Sequence, residues 1–148
     1  MLKLSTKGRY ATRIMIYLAV QELSGQSPVR KQQIASSESI SADYTEQILT
    51  RLKATGLVVS HRGVKGGFSL GRDASGITVA DVLYATEGKS SFAPCLNGQC
   101  GRDIECAARA VWHEATALLE SHFAGISIAS LAKKAIALAT MQVPTYEI

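Results

Sequence analysis

The chain has 148 residues, 47% of them hydrophobic, and a formal net charge of +4. That is enough for one cored domain, or one domain with an extension, and no apolar run approaches the roughly 18 consecutive residues of a membrane span. The opening MLKLSTKGRY has neither the apolar run nor the cleavage site of a secretory signal. A cytoplasmic location is therefore expected, with the three cysteines as thiols or metal ligands rather than a disulfide framework.

Charge is unevenly placed. Residues 1–72 carry eleven Lys plus Arg against four Asp plus Glu, and the remainder carries five against eight. A basic front and a mildly acidic back fit a nucleic-acid-binding domain joined to a regulatory element. A uniformly solvated surface would not need the split.

In chain order, Ser5 or Thr6 can cap a first helix whose apolar stripe is Tyr10, Ile14, Tyr17 and Leu18. Lys3, Lys7, Arg9 and Arg13 lie at or near its start, which is unfavourable for the helix dipole and useful against phosphate. Ser24–Pro28 reads as a loop. Ile34, Ala35 and Ile40 then belong to a short helix and turn, with Ser39 where such turns often have glycine. Ser41 is a good N-cap for a second helix, in which Tyr44, Ile48, Leu49 and Leu52 recur at helical spacing. Its other face carries Asp43, Glu46, Gln47, Thr50, Arg51 and Lys53, and Gly56 ends it. Leu57–Ser60 and Phe68–Leu70 read as strands flanking Arg62-Gly63-Val64-Lys65-Gly66-Gly67. The pattern is a winged helix-turn-helix, with a helix able to enter a major groove and a glycine-rich cationic wing able to approach the backbone closely. Double-stranded DNA is the expected partner.

Beyond the wing, Thr78 and Asp81 form a near relative of a capping box for a short helix carrying Val79, Val82 and Leu83. Lys89–Asp103 has no periodicity and reads as a loop. From about Ile104 to Phe123 a long helix is expected, with Gly125 as its stop. Ile104, Ala108, Val111, Ala115 and Leu118 make one stripe, and Trp112, Leu119 and Phe123 lie beside it. One stripe can pack on its own domain; the other is left for a second subunit. A homodimer also suits DNA, because two reading heads must sit about one helical turn, roughly 34–36 Å, apart. Ile126–Thr140 has the pattern of one more amphipathic helix, and the tail from Gln142 reads as loose.

All three cysteines fall between positions 95 and 106, as Cys95, Cys100 and Cys106. Three thiolates at the mouth of a helix can converge on one centre, and soft sulfur ligands suit zinc or an iron–sulfur cluster. Closed structural zinc sites usually draw four ligands, often from CxxC pairs, and no such pairs are present. An incomplete thiolate set is easier to oxidise or lose, which suits a sensor. A metal-free thiol switch, or a regulator controlled by a partner protein, is the alternative. An enzyme using Cys100 or Cys106 as nucleophile and His113 as base lacks any orienting group or oxyanion-hole motif.

Together KGRYA, YTEQILTRLKATGLV, RGVKGGF and the cysteine loop make the chain, as far as about Leu131, resemble the bacterial iron–sulfur cluster regulator family (IscR-type). The resemblance implies a homodimeric transcription regulator whose 2Fe–2S or 4Fe–4S cluster alters operator binding. It implies Cys95, Cys100 and Cys106 as ligands, and Tyr44, Glu46, Gln47 and Arg62 as DNA contacts. The chain departs from the best-known member in two ways. Four residues rather than five separate its first two cysteines, and Arg109 stands where that member's fourth ligand is a histidine. Arginine stays protonated and cannot ligate a metal, so the fourth position falls to His113, Asp103, Glu105, water, a small thiol or a residue of the partner's first helix.

The fold expected is mainly α with a small β-hairpin wing, a winged helix-turn-helix followed by a long dimerisation helix. Residues 1–88 would form the DNA-binding domain, 89–103 the cysteine-bearing loop, and 104–148 the dimerisation helix and C-terminal extension. The candidate DNA surface comprises Lys3, Thr6 and Lys7, then Ser41, Asp43, Tyr44, Glu46, Gln47 and Arg51, with Arg62 and Lys65 in the wing. The expected role is a redox-sensing repressor without enzymatic activity.

Overall fold

The computed structural model describes residues 4–88, 93–98 and 106–141, and within them six α-helices and one antiparallel hairpin. Helix α1 (Thr6–Leu23) is capped by Ser5, whose Oγ accepts a bond from the Gly8 N–H at 3.0 Å. Ala11, Ile14, Met15, Leu18 and Ala19 form its buried stripe. Tyr10 and Tyr17, expected in that stripe, flank it half-buried and packed against the core.

Helix α2 (Lys31–Glu38) contributes Ile34 and Ala35 to the core. It stops at Ser39, which adopts the left-handed conformation at φ 55° and ψ 43°. That conformation costs a residue with a side chain about 1–2 kcal/mol, and glycine recovers part of it. Ser39→Gly should therefore stabilise the protein by about 0.5–1 kcal/mol, seen as a thermal midpoint about 2 °C higher. Glu38, the last residue of α2, is buried, with Arg13 of α1 as its ion-pair partner. The contact has ion-pair distance without hydrogen-bond alignment for Glu38 Oε2.

Ser41 caps α3 (Ala42–Ala54) as expected, its Oγ accepting from the Tyr44 N–H at 3.1 Å. Ile48, Leu49 and Leu52 are buried, each contributing about 1.5–3 kcal/mol of transfer free energy. Thr45 is buried with them; its hydroxyl donates to the Ser41 carbonyl at 2.9 Å, which leaves its methyl free to pack. Strands β1 (Val58–His61) and β2 (Gly67–Leu70) pair with Val58 opposite Leu70 and His61 opposite Gly67. Phe68 also exchanges backbone bonds with Val29, at 2.8 and 2.7 Å, which fastens the wing to the start of α2. A Cβ at position 67 would lie 2.4 Å from the Val29 carbonyl oxygen, so this approach requires glycine.

Helix α4 (Val79–Glu87) has the Thr78–Asp81 capping box, with Thr78 and Asp81 each accepting from the other's N–H. Helix α5 (Ala107–Ala124) then leaves the core: none of its residues is buried. It packs on α4, where burial and the bond to the Glu120 carboxylate push the Tyr84 phenol's pKa up. Helix α6 (Ile128–Met141) turns back. Ile128 and Ala132 are fully buried against α1, and the Ile128 N–H donates to the Ile77 carbonyl at 2.8 Å. The sequence pattern announces the helix but not its docking site. The tail from Gln142 lies outside the described residues.

Candidate nucleic-acid interface and cysteine segment

Two consecutive residues, Arg30 and Lys31, bring the wing and α3 to one side of the domain. Arg30 Nη2 donates to the Val64 carbonyl at the wing tip, at 3.0 Å. Lys31 Nζ bonds and ion-pairs with the Glu46 carboxylate on the outer face of α3. The bond from Lys31 and its charge hold the Glu46 carboxyl below the usual carboxylate range. Neither Arg30 nor Lys31 was among the expected site residues. A signal existed: two adjacent cations at the start of α2 oppose its dipole and call for another purpose.

Around this bracket, Ser41, Asp43, Glu46, Gln47 and Arg51 are all exposed on α3. Tyr44 is half-buried, its ring edge-on to Tyr10 of α1 with centroids 6.0 Å apart, so the side chain also serves the α1–α3 contact. Arg51 turns toward α4, with Nη1 3.5 Å from the Thr86 carbonyl. Arg62 and Lys65 are exposed in the wing, on either side of Val64, which is 89% exposed. Gly63 takes φ +104°, a turn that a side chain would strain. At the N-terminus Thr6 is exposed and accepts from Arg9 Nη2 at 3.3 Å, Lys7 is half-buried, and Lys3 lies outside the described residues.

Of the cysteines, Cys95 is half-buried in a short 3-10 turn at Pro94–Asn97, and Cys106 is exposed at the N-cap of α5. Both are free thiols, and the Cys106 side chain makes no capping bond. Cys100, Asp103 and Glu105 lie outside the described residues. His113 is exposed on α5, beyond the first turn that Cys106 opens. The donor chemistry fits an iron–sulfur group: soft sulfur ligands, with one of them at the helix end that favours negative charge. Among the described residues no helix is long and apolar enough to cross a membrane.

The model of the Rrf2 family, described as an iron-dependent transcriptional regulator, matches residues 4–134. The chain belongs to the Rrf2 family. The family relatives include the HTH-type transcriptional regulator IscR of Xenorhabdus nematophila, 35% identical over 133 residues, covering 89% of this chain and 80% of that protein. Among solved structures, CymR of B. subtilis, the global cysteine regulator, aligns with a TM-score of 0.77 at 34% identity, over 90% of this chain and 98% of that one. IscR of T. potens aligns at 0.76 and 30% identity, over 97% and 93%. The oxidised form of Staphylococcus aureus CymR aligns at 0.69 and 30% identity, over 88% and 96%. This Rrf2 chain is accordingly a winged-helix transcriptional regulator, mostly helical with one hairpin, and its relatives are regulators rather than enzymes.

Proposed function

We propose that this Rrf2 regulator binds its operators as a homodimer and that an iron–sulfur cluster held by Cys95, Cys100 and Cys106 modulates that binding. The observation that carries the DNA half is the Arg30–Lys31 bracket, which sets the wing tip and the outer face of α3 on one side with their cations exposed. Gln47, near the middle of that face, has the donor–acceptor pair that reads adenine in a major groove, while Arg62 and Lys65 meet the phosphates beside it. Thr6, Lys7 and Lys3 extend the contact along the backbone from the start of α1, and Ser41, Asp43, Tyr44, Glu46 and Arg51 frame the reading face. When bound, the cluster supplies redox-sensitive iron–thiolate chemistry. The cysteines hold it between the end of α4 and the start of α5, where a change in the segment reaches both.

Footprinting with and without the centre, beside an iron and sulfide assay, tests the whole reading. The wing has its own test. Arg62→Ala should weaken operator binding by about tenfold and lower the salt slope by about one unit for the lost phosphate contact. Gln47→Ala should instead relax base preference at one position, by about 1–3 kcal/mol. An Arg62→Ala protein with unchanged affinity and slope would remove the wing from the interface.

A second reading is favoured by two observations: the resemblance to oxidised CymR and the exposed free thiol of Cys106. In it the cysteines act as a metal-free thiol switch, and operator affinity of metal-stripped protein responds to peroxide.

A further inference from the structure

The last turn of α4, which precedes the cysteine-bearing segment in the chain, contacts two elements of the proposed DNA surface. Ser5 Oγ, which caps α1, donates to Glu87 Oε1 at 2.5 Å while it accepts from the Gly8 N–H at 3.0 Å. One residue earlier, the Thr86 carbonyl lies 3.5 Å from Arg51 Nη1 of α3. One residue later, Gly88 takes φ +79° and ends the helix, and Cys95 follows seven positions on.

Glu87 gains nothing from its own helix. A carboxylate at a helix C-terminus faces the negative end of the dipole, whereas at a helix N-terminus it is favourable. The N-terminus it reaches is that of α1, whose first turn has no acidic residue and carries Lys7. The glycine at position 8 makes the approach possible: a Cβ there would lie 2.2 Å from Glu87 Oε1 and 2.9 Å from Leu83 Cδ2. Chain geometry and charge both point to a contact built for α1.

We infer that Glu87 is a positioning residue of the DNA surface, holding the Ser5 cap and the start of α1 in place and tying them to the segment that carries the cysteines. The tie to regulation rests on the iron–sulfur reading above; the positioning of α1 does not. A shift of the cysteine segment that turns the end of α4 moves the Ser5 cap, with Thr6 and Lys7 behind it.

The sign of one substitution separates positioning from bulk charge. Removing a carboxylate near a polyanion tightens binding if charge alone matters. Glu87→Ala should weaken it, by about five- to tenfold in metal-free protein, with a salt slope lower by about one unit as Lys7 loses its register on phosphate. Glu87→Gln keeps an acceptor for the Ser5 hydroxyl and should return affinity to wild type or above. The probe is a duplex selected by the wild-type protein from a random pool, read by fluorescence anisotropy across a salt series, with thermal midpoints to confirm folding. Unchanged or tighter binding by Glu87→Ala overturns the positioning role.

The link is read as the ratio of affinities between cluster-loaded and metal-free protein. In Glu87→Ala that ratio should shrink at least threefold at unchanged iron and sulfide content. A ratio equal to wild type overturns the link. A wild-type ratio of one removes the iron–sulfur reading instead, while the affinity and slope still decide the positioning role.

Discussion

Changing Val111 and Leu118 of α5 together to glutamate should convert the protein to monomers and lower operator affinity by about 10²–10⁴-fold. The helix is 18 residues long, about 27 Å, and offers no buried residue to its own domain. Val111 is 56% exposed, Trp112 37% and Leu118 65%. An apolar stripe of that length left in water loses roughly 25 cal/mol for each Å² not buried, which a second α5 would recover in the proposed homodimer. In the proposed homodimer, carboxylates placed in an α5 seam would face each other across a two-fold axis and could not be paired there. Affinity follows because the second head of a dimer binds at a high effective concentration, an advantage a monomer forfeits. Light scattering gives the oligomeric state and anisotropy the affinity. A double variant that remains dimeric would show that the subunits meet elsewhere and that α5 has another partner.

Cys106→Ser should abolish the iron–sulfur absorbance above about 320 nm in anaerobically purified protein, and with it the difference in operator affinity between loaded and metal-free forms. Serine is a harder donor than thiolate and does not keep a soft cluster in place. What makes this substitution informative is the position itself. Cys106 is exposed, makes no capping bond, and occupies the N-cap of α5, where serine is among the best residues. The fold should therefore be unharmed or slightly stabilised, by about 0.5–1 kcal/mol, while metal-free DNA binding stays as in wild type. Loss of iron with an unchanged or raised thermal midpoint assigns Cys106 as a ligand. Retention of the full iron and sulfide complement excludes it. For the thiol-switch reading, the same variant should lose its response to peroxide without ever having held iron.

The parts of this protein that could be read in advance share one property: their causes are local. The Ser41 cap, the Thr78–Asp81 capping box and the buried positions of α3 each depend on residues three or four apart, the spacing that a helix repeats. The wing was legible because glycines and cations alternate between two short apolar runs. Tyr44 shows where local reading stops. Its helical spacing places it beside Ile48 on the apolar side, but that spacing gives no sign that its ring meets Tyr10 of α1 edge-on. The stripe of α1 is legible at Ile14 and Leu18, which are buried, whereas Tyr10 and Tyr17 pack half-buried against the core and Ala11, Met15 and Ala19 complete its buried line.

Residue order by itself therefore determined the winged helix-turn-helix, the long helix with an unclaimed apolar side, and the confinement of every cysteine to one stretch of the chain. Tertiary structure alone decided that α6 returns to the core on α1 while α5 stays outside it. It also decided that Arg30 reaches a wing carbonyl 34 positions away and that Ser5 meets Glu87 across 82. Contacts of that kind leave no periodic trace. Each joins single residues far apart in the chain, and only the packing of the helices between them brings the two together.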